Sequence, residues 1–427
     1  MTTTLAALGH PVEPQARLLN TWILAWQGVF LHRIGQAGQA RLRLTAVLDS
    51  LAELLLAAQE RHRLEAFVYL HRAGDLMTDR QRDETGRELR RSLALYQEIN
   101  DRWWMIHCLN ALGAWEMFNG QLGQAWELGR QALQIAQQLG DPKTETVTLE
   151  RMSFVAEHRG ATAEGVRLAR EAVARQSDPS LRTVALGRLT FALLAVGEFE
   201  ESVTLAKEAV AWRENLHRHI RGTAFLSNTL ARGLLHLGRF DEGLAVAQTT
   251  VQHWQDAYGF EQPFLLRTVA RAFLALGNEG EADRLIQRTV ESQRRMGNEN
   301  LFALAGALVD CAYPALALGD LNETGRTLVE GLRMTQRSEA FQFTCQSLPA
   351  AALLLASQNR LEEAAFLNGA IQRYPHLTRS RWYATVALDR LAELLASLPA
   401  GLRSAAEEQG QALALPEMTA ELLALLT

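Results

Sequence analysis

Lysine is nearly missing from this chain of 427 residues: of 43 basic residues only Lys143 and Lys207 are lysines. Neither follows a glycine, so the Gly-Lys-Ser/Thr end of a phosphate-cradling loop is lacking and ATP hydrolysis of that type is excluded. H-E-x-x-H, G-x-S-x-G and zinc-finger spacings are also missing, which removes the common hydrolase and metal signatures. Cysteine is scarce: Cys108, Cys311 and Cys345 lie far apart without a C-x-x-C pair, and read as buried thiols in a reducing cytoplasm. No apolar run approaches the ~20 residues of a membrane span. Met1 to Pro14 lacks a basic start followed by an apolar stretch, and is expected to be a short disordered lead-in. The net charge of −5 makes a poor nucleic-acid binder unless the arginines segregate on one face. His217-Arg218-His219 has no Cys or carboxylate at ligand spacing and reads as a solvated helix end. With no catalytic, cofactor or metal site in view, the expectation is a protein that is not an enzyme.

What the chain does have is a repeat. A small residue, a turn slot seven residues on and a second small residue five further recur nine times. The turn slots are Gly35, Arg80, Gly120, Gly160, Gly197, Gly238, Gly277, Gly319 and Asn359. Periodicity near 40 residues means a stack of helical hairpins in which each unit contacts its neighbours, so one elongated all-α array suits the length better than several separate cores. The small residues before the slot run from Gly28 and Ala73 through Gly113, Ser153, Thr190, Ala231, Ala270 and Ala312 to Ala352. After it come Ala40, Thr85, Ala125, Gly165, Ser202, Gly243, Ala282, Thr324 and Ala364. Two helices joined by a short turn approach closely only where facing side chains are short. Glycine suits the slot because a helix ends well on a left-handed residue. Trp22, Trp26, Trp103 and Trp104 could form an aromatic cage, but read better as bulk filling the grooves between hairpins.

The small-Gly-small register, cleanest at Gly113, Gly120 and Ala125, resembles the tetratricopeptide repeat. HEAT repeats, the rival of similar length, do not demand a small residue at every crossing. The resemblance implies a right-handed superhelical solenoid of about nine hairpins over 15–377, with two or three capping helices over 378–427 whose turns fall at Pro399, Gly401 and Pro416. A narrower likeness lies in Ser92 to Asp101 running into Trp103 and Cys108 to Gly113, and in Ala364 to Ala370 with Glu407 to Ala412. These segments are similar to the repeats of bacterial STAND regulators, the signal-transduction ATPases that include the maltose-regulon activator. That resemblance implies a cytoplasmic sensor that receives a protein partner or small-molecule inducer and relays it to a nucleotide-switch domain. A freestanding scaffold for protein complexes is the alternative.

The tetratricopeptide likeness also implies that the first helix of each hairpin faces the concave side, at thirteen, ten, six and three residues before the turn slot. In the sixth hairpin this gives Phe225, Asn228, Arg232 and Leu235, and in the seventh Phe264, Arg267, Arg271 and Leu274. Arg267 and Arg271 lie one turn apart, with Arg232 expected beside Arg271. Three converging guanidiniums need an anionic ligand or a carboxylate, for which Glu150, Glu157, Glu261 or a neighbouring acid are candidates. With Phe191, Phe225 and Phe264 in the same set, a ligand with one anionic end and one apolar part fits.

Overall fold

Eight of the nine expected turn slots adopt the left-handed backbone in the computed structural model of the chain. Gly35, Gly120, Gly160, Gly197, Gly238, Gly277, Gly319 and Asn359 have φ between 63° and 87°. The ninth, Arg80, lies outside the described residues, as do His217, Arg218 and His219; those described are 14–51, 54, 56–73, 82–176, 178–215, 220–295 and 301–427. The lead-in likewise falls outside them, apart from Pro14.

The elements are all helical. In chain order they are α1 (Pro14–Arg33), α2 (Ala37–Leu51), α3 (Ala58–Arg72), α4 (Arg82–Glu98), α5 (Arg102–Phe118), α6 (Leu122–Leu139), α7 (Pro142–His158), α8 (Thr162–Arg175), α9 (Pro179–Val196), α10 (Phe199–Asn215), α11 (Ile220–His236), α12 (Phe240–Tyr258), α13 (Pro263–Ala275), α14 (Glu279–Arg295), α15 (Leu301–Ala317), α16 (Leu321–Ser338), α17 (Gln342–Ser357) and α18 (Leu361–Gln372). Paired consecutively, these are nine hairpins. The fold is all-α, built of sequential hairpins in the manner of tetratricopeptide repeats.

The chain divides into two compact units, Met1–Trp115 with Glu127–Thr144, and Glu116–Trp126 with Glu145–Thr427. In the first, Val29, Leu44, Val47, Leu64 and Phe67 form a core between α1, α2 and α3. Trp22 and Trp104 flank Phe67 with ring centroids 5.2 and 5.4 Å away, whereas Trp26 and Trp103 stay 38% and 43% exposed.

In the second unit the small positions meet as the repeat requires. The Ser153 hydroxyl donates to the Gly165 carbonyl at 2.8 Å, and Ser202 donates to the Thr190 carbonyl at 2.7 Å; each is a predicted crossing pair. Second helices are one-sided: α16 buries Thr324, Leu328, Leu332 and Thr335 at helical spacing, and the Asp320 carboxylate caps it by accepting the Glu323 N–H. First helices contact the first helices of the next hairpin, α9 with α11, α11 with α13 and α13 with α15, and so make an inner layer. α17 is buried almost all round, from Phe343 to Ala356, because elements after the ninth hairpin cover its remaining side.

Those elements are α19 (Pro375–Thr378), α20 (Arg381–Tyr383), a π turn (Ala384–Leu388), α21 (Asp389–Leu395), α22 (Ala400–Ala412) and α23 (Leu415–Leu426). The first three turn back to the inner layer, α19 against α9, α20 against α11 and the π turn against α13. The approach is close: a Cβ at Gly197 would lie 2.9 Å from the Pro375 carbonyl carbon, on a backbone with φ of +83°. Arg379 reaches Glu198 at 3.3 Å. α23 closes the end, its Thr419 hydroxyl 2.7 Å from that of Thr344 on α17. Among the described residues no helix is long and apolar enough to cross a membrane, and no group of His, Cys, Asp and Glu is placed to hold a metal ion. All three cysteines are buried free thiols.

Candidate inner-face binding site

Arginine and phenylalanine interleave along the inner layer of the second unit. Phe154 on α7, Phe191 on α9 and Phe225 on α11 form a row with centroids 6.2 and 5.7 Å apart. The Arg188 guanidinium lies over both Phe154 and Phe191, at 5.0 and 4.5 Å, and Arg232 lies over Phe191 at 4.9 Å. The three rings are half-buried. Phe264 departs from this row: its ring meets Trp254 at 6.4 Å. Leu235 and Leu274 are core residues.

The arginines differ in what they hold. Arg267 Nε donates to Asp310 Oδ2 at 2.7 Å and its Nη2 to the Gly306 carbonyl at 2.8 Å. Arg271 donates to Asp310 Oδ1 from Nε at 3.1 Å and from Nη2 at 2.5 Å. The carboxylate that meets this pair is thus Asp310 of α15, rather than Glu150, Glu157 or Glu261. Burial alone would raise the Asp310 carboxyl, but the two guanidiniums outweigh it and hold it below its ordinary range. Arg271 is buried, with Trp382 of α20 stacked 5.1 Å from its guanidinium and the Trp382 Nε1–H donating to its carbonyl at 2.8 Å. Glu157, fully buried, accepts from Arg188 through one oxygen, while its Oε1 has no partner among the described residues. Burial, opposed by Arg188 and Arg232, pushes the Glu157 carboxyl up to about 7.

Arg232 is the member left over. Among the described residues it makes no ion pair, only the contact with the Phe191 ring. Burial, then the like charges of Arg271 and Arg267, lower its guanidinium to about 10. It borders a pocket also lined by Gln346, Tyr374, His376 and Tyr383. One turn earlier, Asn228 is 6% exposed and its Oδ1 has no hydrogen-bond partner among the described residues. The sixth and seventh hairpins therefore bring Arg232, Arg267 and Arg271 together, as their spacing requires, with Phe225 nearby and Phe264 turned to a different neighbour.

Asp310 and Arg188 were not in the counted set. Both stand nine residues before their turn slots, Gly319 and Gly197, a position between the two counted inner stripes. A signal did exist for Asp310: it is the lone charged residue in the apolar run Leu301–Ala317.

Three histidines beside this lane are held neutral. Burial, then Arg188 and Arg232, drives His158 well below its ordinary value, despite the 2.6 Å bond between its Nδ1 and the Phe154 carbonyl. Burial, then Arg232, Arg271 and His376, does the same to His236, whose Nδ1 sits 2.7 Å from the Ser380 hydroxyl. Burial lowers His376 to about 4. Unfolded histidine takes its proton near 6.5, so from about pH 6.5 down to 4 the unfolded state gains protons that the folded state refuses, and stability falls. Glu150 and Glu157, raised to about 7 by burial, and Glu88, also raised by burial, act in the opposite sense, while carboxyls held low by their partners, Asp310, Asp141, Glu164 and Glu323 among them, add to the loss in acid. Urea midpoints are expected to drop across this acid range, and His376→Gln is expected to flatten the slope; an unchanged slope would count against His376 as a contributor.

The fold and this lane define an all-α helical-repeat protein with a cationic, aromatic inner face. Solved structures share the fold. A Rap protein complexed with competence and sporulation factor superposes with a TM-score of 0.60 at 14% identity, over 88% of this chain and 99% of that one. The apo form of the quorum sensor NprR from B. thuringiensis gives 0.52 at 10% identity, over 78% and 92%. The apo form of RapI gives 0.50 at 13% identity, over 65% and 98%. No protein-family model matches the chain, and no curated protein matches it in sequence.

Proposed function

We propose that the chain is a non-catalytic binding module that receives a peptide or small anionic ligand on the inner face of its second unit. The observation that carries this is the lane itself: half-buried phenylalanines interleaved with guanidiniums, of which Arg232 pairs with no carboxylate among the described residues. Aromatic and arginine side chains dominate binding energy where they converge. The shared fold supports the reading, since one structure of similar fold is a Rap protein in complex with competence and sporulation factor and another is a quorum sensor. The wording of the segments around Ser92–Gly113 and Ala364–Ala370 extends it to the sensor part of a STAND-type regulator, with a nucleotide-switch domain as the partner that reads the signal. A freestanding scaffold for protein complexes is the competing use of the same face.

Thermal stability screened against pools of short peptides and carboxylate metabolites tests it, since a ligand that binds only the folded chain raises the midpoint. Phe225→Ala and Arg232→Gln should each weaken the ligand found by about 1–3 kcal/mol. Binding untouched by both substitutions would move the site off this face, and capture of protein partners alone would favour the scaffold.

A further inference from the structure

α1 is apolar on two sides. Toward α2 it presents the buried Ala25 and Val29, with Gly28 between them, where a Cβ would lie 2.7 Å from Leu44 Cγ. On the opposite face stand Leu19, Ile23, Trp26, Phe30 and Ile34, in steps of four, three, four and four residues. Ile34 extends the helix by donating its N–H to the Phe30 carbonyl at 3.1 Å. That spacing is the seam of a packed helix pair. Yet Leu19 is 63% exposed, Trp26 38%, Phe30 49% and Ile34 69%. Trp26 and Phe30 have ring centroids 6.2 Å apart, so the stripe is continuous through its middle. No charged residue occurs from 18 to 31. Aromatics without charge are the composition of an interface centre, and a helix that is apolar all round is normally covered. At roughly 150–250 Å² for a side chain of this size, the four exposed fractions leave roughly 300–550 Å² of apolar surface. A standard interface takes about 800 Å² per partner, somewhat over half of it apolar, and the stripe supplies that share.

We propose that this stripe is the contact of a homodimer in which α1 of one copy packs antiparallel on α1 of a second, about a two-fold axis beside Trp26. A second copy fits because the stripe is its own complement. Trp26 stands at its centre, with Ile23 and Phe30 three and four residues away and Leu19 and Ile34 seven and eight away. Reversing the helix about that centre sets Leu19 against Ile34 of the second copy, Ile23 against Phe30 and Trp26 against Trp26. That is the isologous pairing a two-fold contact requires. Antiparallel α1 helices also oppose their dipoles, which a parallel pair would align. The two indoles at the centre are the anchors, ringed by aliphatic side chains that exclude water. The contact belongs to the first unit and does not draw on the ligand reading of the second.

The test is sedimentation velocity of the full chain across the micromolar range, with Leu19→Lys and Ile34→Glu on the stripe and Leu42→Glu as a control. Leu42, on α2, is 75% exposed and off the stripe. All three positions are exposed, so folding is expected to survive each change, which circular dichroism checks. A concentration-dependent dimer is expected for the wild type and for Leu42→Glu. Leu19→Lys and Ile34→Glu, each alone, should weaken association at least tenfold. Mixed in equal amounts they should form a heterodimer, because the register places the introduced lysine opposite the introduced glutamate. A wild type that stays monomeric overturns the proposal and gives the stripe to a different protein or segment. A dimer that both stripe variants leave intact overturns it too, and failure of the mixture to restore association overturns the antiparallel pairing. Should a charged variant fail to fold, a short bis-maleimide must join Leu19→Cys to Ile34→Cys in a mixture of the two, the three native thiols being buried. No cross-linked dimer there overturns the contact.

Discussion

Gly410→Ala is expected to destabilise the chain by about 3–5 kcal/mol and to release α22 from the ninth hairpin. A Cβ at Gly410 would lie 1.8 Å from the Phe366 carbonyl oxygen and 2.8 Å from its carbon. On the facing helix, a Cβ at Gly369 would lie 2.0 Å from the Glu407 oxygen. α18 and α22 thus cross backbone to backbone through two glycines. The obstructing atoms belong to helical main chain, which cannot rotate aside as a side chain can, so the helices must separate. Separation would also break the 2.8 Å bond from Asn368 Nδ2 to Glu407 Oε1. Local propensity has the opposite sign, because alanine in a helix interior is favoured over glycine by roughly 0.5–1 kcal/mol. Gly401→Ala, in the first turn of the same helix with nothing within 4 Å of its added Cβ, isolates that local gain and is expected to be neutral or slightly stabilising. Denaturant unfolding checks the energies and limited proteolysis checks the release. If Gly410→Ala behaves like Gly401→Ala, the crossing is not as tight as the backbone distances require.

That crossing shows where the repeat pattern stops being informative. Within the array the sequence spacing is rigidly tied to geometry, since a turn slot needs positive φ and a hairpin crossing needs short side chains. Gly160 at +87° and the Ser202-to-Thr190 bond follow directly. Gly369 and Gly410 obey the same packing rule, but they are 41 positions apart on helices that are not hairpin partners, and no repeat register links them. The return of Pro375–Leu388 to the inner layer is invisible for a related reason: it depends on how far the array curls, a sum of small rotations that no single residue encodes. The site was legible in part. Counting from the turn slots places Arg232, Arg267 and Arg271 on one face, but the partner of Arg267 and Arg271 sits on the first helix of the next hairpin, and which stripe of α15 it occupies depends on the crossing angle between α13 and α15.

Asp310→Ala is expected to cost about 3–5 kcal/mol, the range for breaking a buried ion pair by removing one partner. The change leaves Arg267 and Arg271 facing each other and Arg232 without the carboxylate that accepted three of their hydrogen bonds. Had these arginines stood on a solvated inner face, such a change would move stability by no more than about 0.5 kcal/mol. Asp310 is 3% exposed and Arg271 8%, so water cannot substitute for the lost acceptor. Arg271 also supports Trp382 through its carbonyl and its guanidinium face, which couples the ion pair to the docking of α20. Adding Arg271→Met to Asp310→Ala should recover part of the loss by removing the uncompensated charge while retaining bulk against the indole. The pH dependence has a definite sign: the Asp310 carboxyl is held low, so its contribution is full above its unfolded value near 4 and is lost as pH falls through the folded value. Urea unfolding of the single and double variants at neutral pH measures the coupling. A single-variant loss below about 1 kcal/mol, with no recovery in the double, would mean that solvent already screens the cluster, in the range of exposed pairs.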